Sequence, residues 1–246
     1  MIARIQNLLK KIHAYRAEQK ILSTLHAGDQ ALIEPIKKKK LTYLTVRKLG
    51  SIANSCRSIE TSKLPGIFVE AGCALGGSSI LIASLKDQER PLFIYDVFGM
   101  IPPPTDEDTQ DVHERYRTII AGKSKGIGGE IYYGYEENLF DIVHANLKNF
   151  GIDCDKQSVS LIKGLVQDTM HIDQPVALAH VDVDWYEPVM TCLERIFPNL
   201  ISGGCVILDD YHDWGGCRKA TDEYLQKVEG QFVLDDSAGS LKITKR

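Results

Sequence analysis

The chain has 246 residues, of which 43% are hydrophobic and 25% charged, and its 29 Lys+Arg against 33 Asp+Glu give a formal charge of −4. That is apolar material for one large α/β domain, and it excludes both a disordered chain and a basic nucleic-acid-binding surface. Six scattered cysteines (Cys56, Cys73, Cys154, Cys192, Cys205 and Cys217) form no CxxC pair, so they read as reduced thiols of a cytoplasmic protein and not as a disulfide framework.

The first 64 residues read as mostly helical and as packing on the core. Ile2, Ile5, Leu8, Leu9 and Ile12 recur at helical spacing, with charges threaded between them. Such a helix packs on the domain or on a second subunit, which favours a homo-oligomer; the alternative is a basic helix on a membrane surface. No apolar run reaches the roughly 18 residues of a membrane span, and the N-terminus lacks a signal-peptide core. The four lysines at 37–40 read as a solvated face.

From Pro65 onward, short apolar runs alternate with helical stretches, the pattern of a parallel sheet wound with helices. Strands are predicted at 67–71, 92–97, 159–163, 176–182 and 205–209, and helices at 78–86, 136–150, 186–197 and 216–228. Two further runs, 231–234 and 241–244, form a terminal antiparallel hairpin around Asp235, Asp236 and Gly239. Residues 99–135 interrupt the alternation with a proline run, acidic residues and a glycine-rich stretch. An insertion of this length reads as a lid that orders over substrate.

Chemistry concentrates after the strands. Glu70-Ala71-Gly72-Cys73-Ala74-Leu75-Gly76-Gly77-Ser78 is a glycine-rich strand-to-helix turn. It is not the GxGxxG dinucleotide fingerprint, because Ala74 stands where the second glycine belongs, and no Gly-Lys-Ser/Thr follows to make a P-loop. A pyrophosphate is therefore disfavoured, and the carboxylate of Glu70 suits a cationic group. Asp96 closes the second strand 20 residues after Gly76, the spacing of an acid that accepts from ribose hydroxyls.

Asp182 and Asp184 end the fourth strand, and strand alternation points them to one side. Asp209 and Asp210 end the fifth. Four acids at one sheet edge repel unless a cation compensates, and an all-oxygen set suits Mg²⁺ rather than zinc.

These motifs resemble those of the macrocin-type O-methyltransferases, the tylosin, mycinamicin and noviose sugar methyltransferases of antibiotic biosynthesis. The likeness runs from about Leu41 to the C-terminus. It rests on Gly66 to Gly72 with Gly76-Gly77-Ser78, Tyr95-Asp96-Val97-Phe98-Gly99, Lys163 to Thr169, His180 to Tyr186, and Gly203-Gly204 to Asp209-Asp210-Tyr211. A departure is Cys73-Ala74-Leu75, where many relatives carry a Trp-Arg pair.

The resemblance implies an α/β fold of the class I methyltransferase type: a doubly wound, mostly parallel sheet with a C-terminal antiparallel hairpin and N-terminal helices. Residues 65–246 would form the S-adenosylmethionine-dependent domain. The implied activity is Mg²⁺-dependent methyl transfer to a hydroxyl of a sugar diol or glycosylated small molecule. Asp182, Asp209 and Asp210 would hold the metal, and Asp184 would be the general base. Glu70, Gly72, Ser78, Asp96, Phe98 and Asp168 would contact S-adenosylmethionine. The alternatives are a catechol-type O-methyltransferase and a non-catalytic cofactor-binding protein of the same fold.

Overall fold

A computed structural model describes Arg16 and residues 18–246. The isoleucine and leucine pattern between Ile2 and Ile12 lies outside the described residues. Two helices described in full precede the first strand. Helix α1 (Ala27–Lys38) buries Ile33 and Ile36, and α2 (Val46–Thr61) buries Leu49, Ile52, Ala53, Cys56 and Ile59. Thr45 caps α2, its hydroxyl accepting from the Lys48 N–H, and so fixes where Lys48 emerges.

Seven strands form one sheet in the order β3-β2-β1-β4-β5-β7-β6. They are β1 (Ile67–Ala71), β2 (Leu92–Asp96), β3 (Val159–Lys163), β4 (Val176–Val181), β5 (Leu200–Leu208), β6 (Phe232–Asp235) and β7 (Leu241–Lys245). The first five are mutually parallel, while β7 runs antiparallel to both β5 and β6. The expected doubly wound sheet and terminal hairpin are both present. Strand β5 begins earlier than expected, at Leu200, because Val176 pairs with Leu200 before the register slips to Leu178 against Cys205.

Alternation along β1 sends Phe68 into one core and Ile67, Val69 and Ala71 into the other. The first core packs against α1, α2, α3 (Gly77–Leu85) and, beyond the insertion, Leu139, Val143 and Leu147. The second holds Val189, Cys192, Leu193 and Ile196 with Cys217, Ala220 and Tyr224 from the later helices. Burial on both faces explains why the central strands read as unbroken apolar runs. None of the six cysteines is paired, and among the described residues no helix is long and apolar enough to cross a membrane.

The insertion contains a helix absent from the sequence expectation, α4 (Gln110–Ile120), which buries Val112 and Ile119. After it come α5 (Leu139–Asn149) and a single turn, α6 (Val166–Thr169), then α7 (Tyr186–Ile196) and α8 (Gly215–Lys227). The insertion holds the core by capping at a distance. Asp108 accepts from the Tyr186 N–H at 2.8 Å and Asp111 from the Gly215 N–H at 3.0 Å, the first residues of α7 and α8. Neither helix has a side-chain cap of its own. The Trp185 indole also donates to the Pro102 carbonyl at 3.0 Å. In the lysine run, Lys37 donates to the Leu44 carbonyl at 2.7 Å and Lys40 pairs with Glu130 of the insertion, so two of the four hold structure.

Candidate active site

All five parallel strands end at one edge, and the residues just past their C-terminal ends line a cavity of about 600 Å³. Gly72, Asp96 and Gly164 to Gln167 are among them. Asp182, Asp184, Asp209 and Asp210 line it as well. The N-terminal segment supplies Tyr43, Thr45 and Lys48, and the insertion adds Ile101, Pro102, Arg115, Tyr132 and Tyr133.

At the glycine turn, Gly72 has φ +81°, and a Cβ there would lie 2.7 Å from the Asp182 carbonyl carbon. Only glycine lets β1 and β4 approach so closely at their ends. Ala74, which replaces the fingerprint glycine, adopts φ +47°, so the left-handed turn survives without it. Asp96 is held by main-chain donors, accepting from the Cys73 N–H at 2.7 Å and the Phe98 N–H at 2.6 Å. Burial raises its carboxyl despite these two bonds. The loop after β3 is fastened from α7, where Arg195 donates to the carbonyls of Val166, Gln167 and Met170 at 2.7–2.8 Å.

Four of the expected cofactor residues are not on the cavity wall. Glu70 alternates to the opposite face of β1, is fully buried, and accepts from Ser79 Oγ, with His180 Nδ1 at 3.0 Å. The partner of its carboxylate is thus a histidine of the core. Ser78 is buried in the first turn of α3. Phe98 is buried edge-on against Phe140, with ring centres 5.0 Å apart. Asp168 is exposed, and its neighbour Gln167 faces the cavity instead.

The acids do converge, though not by strand alternation. Strand β4 ends at Val181, and Asp184 adopts φ +58° in a tight turn closed by Trp185 N–H to the Val183 carbonyl at 2.6 Å. Aspartate tolerates that left-handed conformation better than most residues. Carboxylate oxygens of Asp182, Asp184 and Asp210 lie within 4.8 Å of one another, as do those of Asp209, Asp210 and Asp213.

The two sets differ in charge balance. Lys48 Nζ sits 3.0 Å from both Asp209 Oδ2 and Asp213 Oδ2, so an ammonium already serves the second set. Among the described residues the first set makes no ion pair, and Arg115 acts on Asp184 only from beyond ion-pair distance. Burial, then repulsion from Asp210 and Asp209, pushes the Asp182 carboxyl well above the carboxylate range. Burial, then the charges of Asp184 and Asp209, does the same to Asp210. Asp184 is raised to about 7, by burial first and then by Asp182. Asp209 Oδ1 and Asp210 Oδ2 are buried with no hydrogen-bond partner among the described residues. Mutually repelling carboxylates with orphaned oxygens, more negative charge than Lys48 and Arg115 can balance, fit a hard divalent ion.

Sequence reasoning missed Lys48, Arg115, Tyr43, Tyr132, Tyr133 and Asp213, all of which line the cavity. Asp213 had a signal, lying one turn beyond the Asp209-Asp210 pair. Lys48 had none, because it arrives from a helix that precedes the sheet.

The family model "Macrocin-O-methyltransferase (TylF)" matches residues 4–233. The chain is 26% identical over 199 residues to demethyldecarbamoylnovobiocin O-methyltransferase of Streptomyces niveus, covering 76% of this chain and 69% of that protein. It is 28% identical over 201 residues to the 8-demethyl-8-(2,3-dimethoxy-alpha-L-rhamnosyl)-tetracenomycin-C 4'-O-methyltransferase of Streptomyces olivaceus, covering 79% and 70%. Among solved structures, the O-methyltransferase NovP superposes with a TM-score of 0.69 at 23% identity, over 84% of this chain and 82% of that one. The calicheamicin methyltransferase CalS11 gives 0.59 at 18% identity, over 96% and 92%. At these identities the structural likenesses speak for the fold.

Proposed function

The chain belongs to the macrocin O-methyltransferase family, enzymes that use S-adenosylmethionine, and from that premise we propose that it methylates a hydroxyl of a sugar or glycosylated small molecule with Mg²⁺ at the acid cluster. One observation carries the proposal: the uncompensated carboxylates of Asp182, Asp184 and Asp210 open onto the same cavity as Gly72 and Asp96. The names of the relatives support the acceptor class, since one acts on a rhamnosyl-tetracenomycin and another is a mycinamicin III 3''-O-methyltransferase. We place the reaction in the cytoplasm, in keeping with six unpaired thiols.

Methyl transfer to oxygen is an in-line displacement at a sulfonium-bound carbon, so alignment is the main demand and can contribute about 7–11 kcal/mol. In our reading Asp96 accepts from the ribose hydroxyls, because its carboxylate is already oriented by two main-chain donors. Gly72 gives the cofactor close access to the β1 end. Asp182 and Asp210 would hold Mg²⁺ together with Asp209, whose carboxylate lies beside that of Asp210, and the ion would lower the pKa of acceptor hydroxyls. Lys48 fixes Asp209 by donating to its carboxylate and its carbonyl. Asp184 takes the proton of the reacting hydroxyl, from a turn that aims its carboxylate into the cavity. The walls of the insertion exclude water while the transfer proceeds.

The tyrosines Tyr43, Tyr132 and Tyr133 also favour a second reading, an aromatic diol as acceptor. The test is methyl transfer from S-adenosylmethionine to a panel of glycosides and catechols, followed by mass spectrometry, before and after EDTA. Activity on glycosides that vanishes with EDTA and returns with Mg²⁺ is expected. Full activity after exhaustive chelation would remove the metal from the reaction, and turnover of catechols alone would favour the second reading.

A further inference from the structure

Besides Lys48, the cavity wall carries a second cation, Arg115 of α4, in a different setting. Lys48 is bonded to two aspartates, whereas Arg115 has no ion pair or side-chain hydrogen bond among the described residues. Other partly buried arginines are engaged: Arg57 by Asp29, Arg90 by Glu60, and Arg195 by three carbonyls. Arg115 instead rests over the ring of Tyr132, with Cζ 5.5 Å from the ring centre, and that tyrosine is 3% exposed. Stacking on an aromatic face orients a guanidinium while leaving its edge donors free.

An acceptor that fills this cavity displaces the water around Arg115. A neutral acceptor without well-placed oxygens would then leave a guanidinium desolvated and unpaired, which is costly. An oxyanion matches the donor fork of arginine in a bidentate pair. Aspartates line the same cavity and repel an anion, so an anionic group is tolerated only where it pairs with Arg115. That restriction fixes which way round the acceptor lies relative to Asp184.

Resting on the methyltransferase reading above, we propose that Arg115 is a specificity-determining residue that binds a carboxylate or phosphate carried by the acceptor, stacked on Tyr132 and facing the acid cluster. The two sources of oxyanion are separated by probe. Binding of methyl glucuronide, uridine diphosphate glucose and neutral methyl glucoside is measured by calorimetry on the full chain, with Mg²⁺ and S-adenosylhomocysteine present. Wild type should bind at least one charged probe more tightly than the neutral one, and which one identifies carboxylate or phosphate. Arg115→Met should lower that preference roughly 10- to 100-fold, as expected for loss of a charge-assisted pair. Arg115→Lys should keep part of it.

The proposal is overturned if wild type shows no preference for either charged probe. It is also overturned if Arg115→Met leaves the preference unchanged, or weakens the neutral glucoside as much as the charged probes, because the arginine would then serve Asp184 or the wall itself. Failure of S-adenosylhomocysteine to bind wild type is a separate result. It would remove the methyltransferase reading on which this inference stands.

Discussion

Replacing Lys48 with methionine tests the charge balance of the site directly. Its ammonium lies 3.0 Å from Asp209 Oδ2 and 3.1 Å from the Asp209 carbonyl, and the two side chains are 11% and 10% exposed. Breaking so buried a pair from one side costs about 3–5 kcal/mol, because the remaining carboxylate stays desolvated and now faces Asp210 and Asp182 uncompensated. The second partner, Asp213, is 56% exposed, and an exposed pair contributes about 0–1 kcal/mol. For a chain of this length each kcal/mol moves Tm by roughly 2–4 °C, so Lys48→Met should melt roughly 6–20 °C lower in EDTA. Asp213→Asn should fall by no more than about 4 °C. Urea denaturation and thermal melting of both variants, without divalent cations, read the difference. A Lys48→Met variant within about 1 kcal/mol of wild type, or no worse than Asp213→Asn, would refute the reasoning.

Three further outcomes are expected. Asp184→Asn should lower turnover by about 10²- to 10⁴-fold while calorimetry shows S-adenosylhomocysteine binding retained; unchanged turnover removes Asp184 as the base. Asp96→Asn should weaken S-adenosylhomocysteine roughly 10- to 100-fold, and an unaltered affinity takes Asp96 out of the cofactor site. Gly72→Ala and Gly151→Ala both place a side chain at positive φ, +81° and +80°, but only the first meets neighbouring main chain. Gly151→Ala should cost about 1–2 kcal/mol, and Gly72→Ala clearly more, together with lost cofactor binding. Equal denaturation midpoints for the two would show that contact with Asp182 is unimportant.

The sheet was legible in the sequence because its strands are buried on both faces. The runs at 67–71 and 159–163 coincide with observed strands, and those at 92–97 and 176–182 overshoot by one residue. The strand-end acids were legible for the same reason, since a carboxylate directly after an apolar run must lie at the sheet edge. Helix α4 was missed although Val112, Tyr116 and Ile119 have helical spacing; the glycine, proline and acid content around it dominated the reading. The expected role of Glu70 met a different limit. Motif position gave its place in the chain, but alternation along β1 turns its side chain into the core. Lys48 and Arg115 were invisible because they reach the cavity through tertiary packing, from segments with no motif.

The distant caps on α7 and α8 bear on how an acceptor could enter. Each such cap is worth about 1 kcal/mol, and Asp108 and Asp111 lie only a few residues apart. Swinging the segment away as a flap would strip both helices of their terminal partners together and break the Trp185–Pro102 bond. Residues 102–111 are therefore anchored to the core by three bonds, and a ligand has to enter without displacing them. A chimera that exchanges acceptor preference between relatives should cut beyond Asp111, keeping both aspartates with their helices.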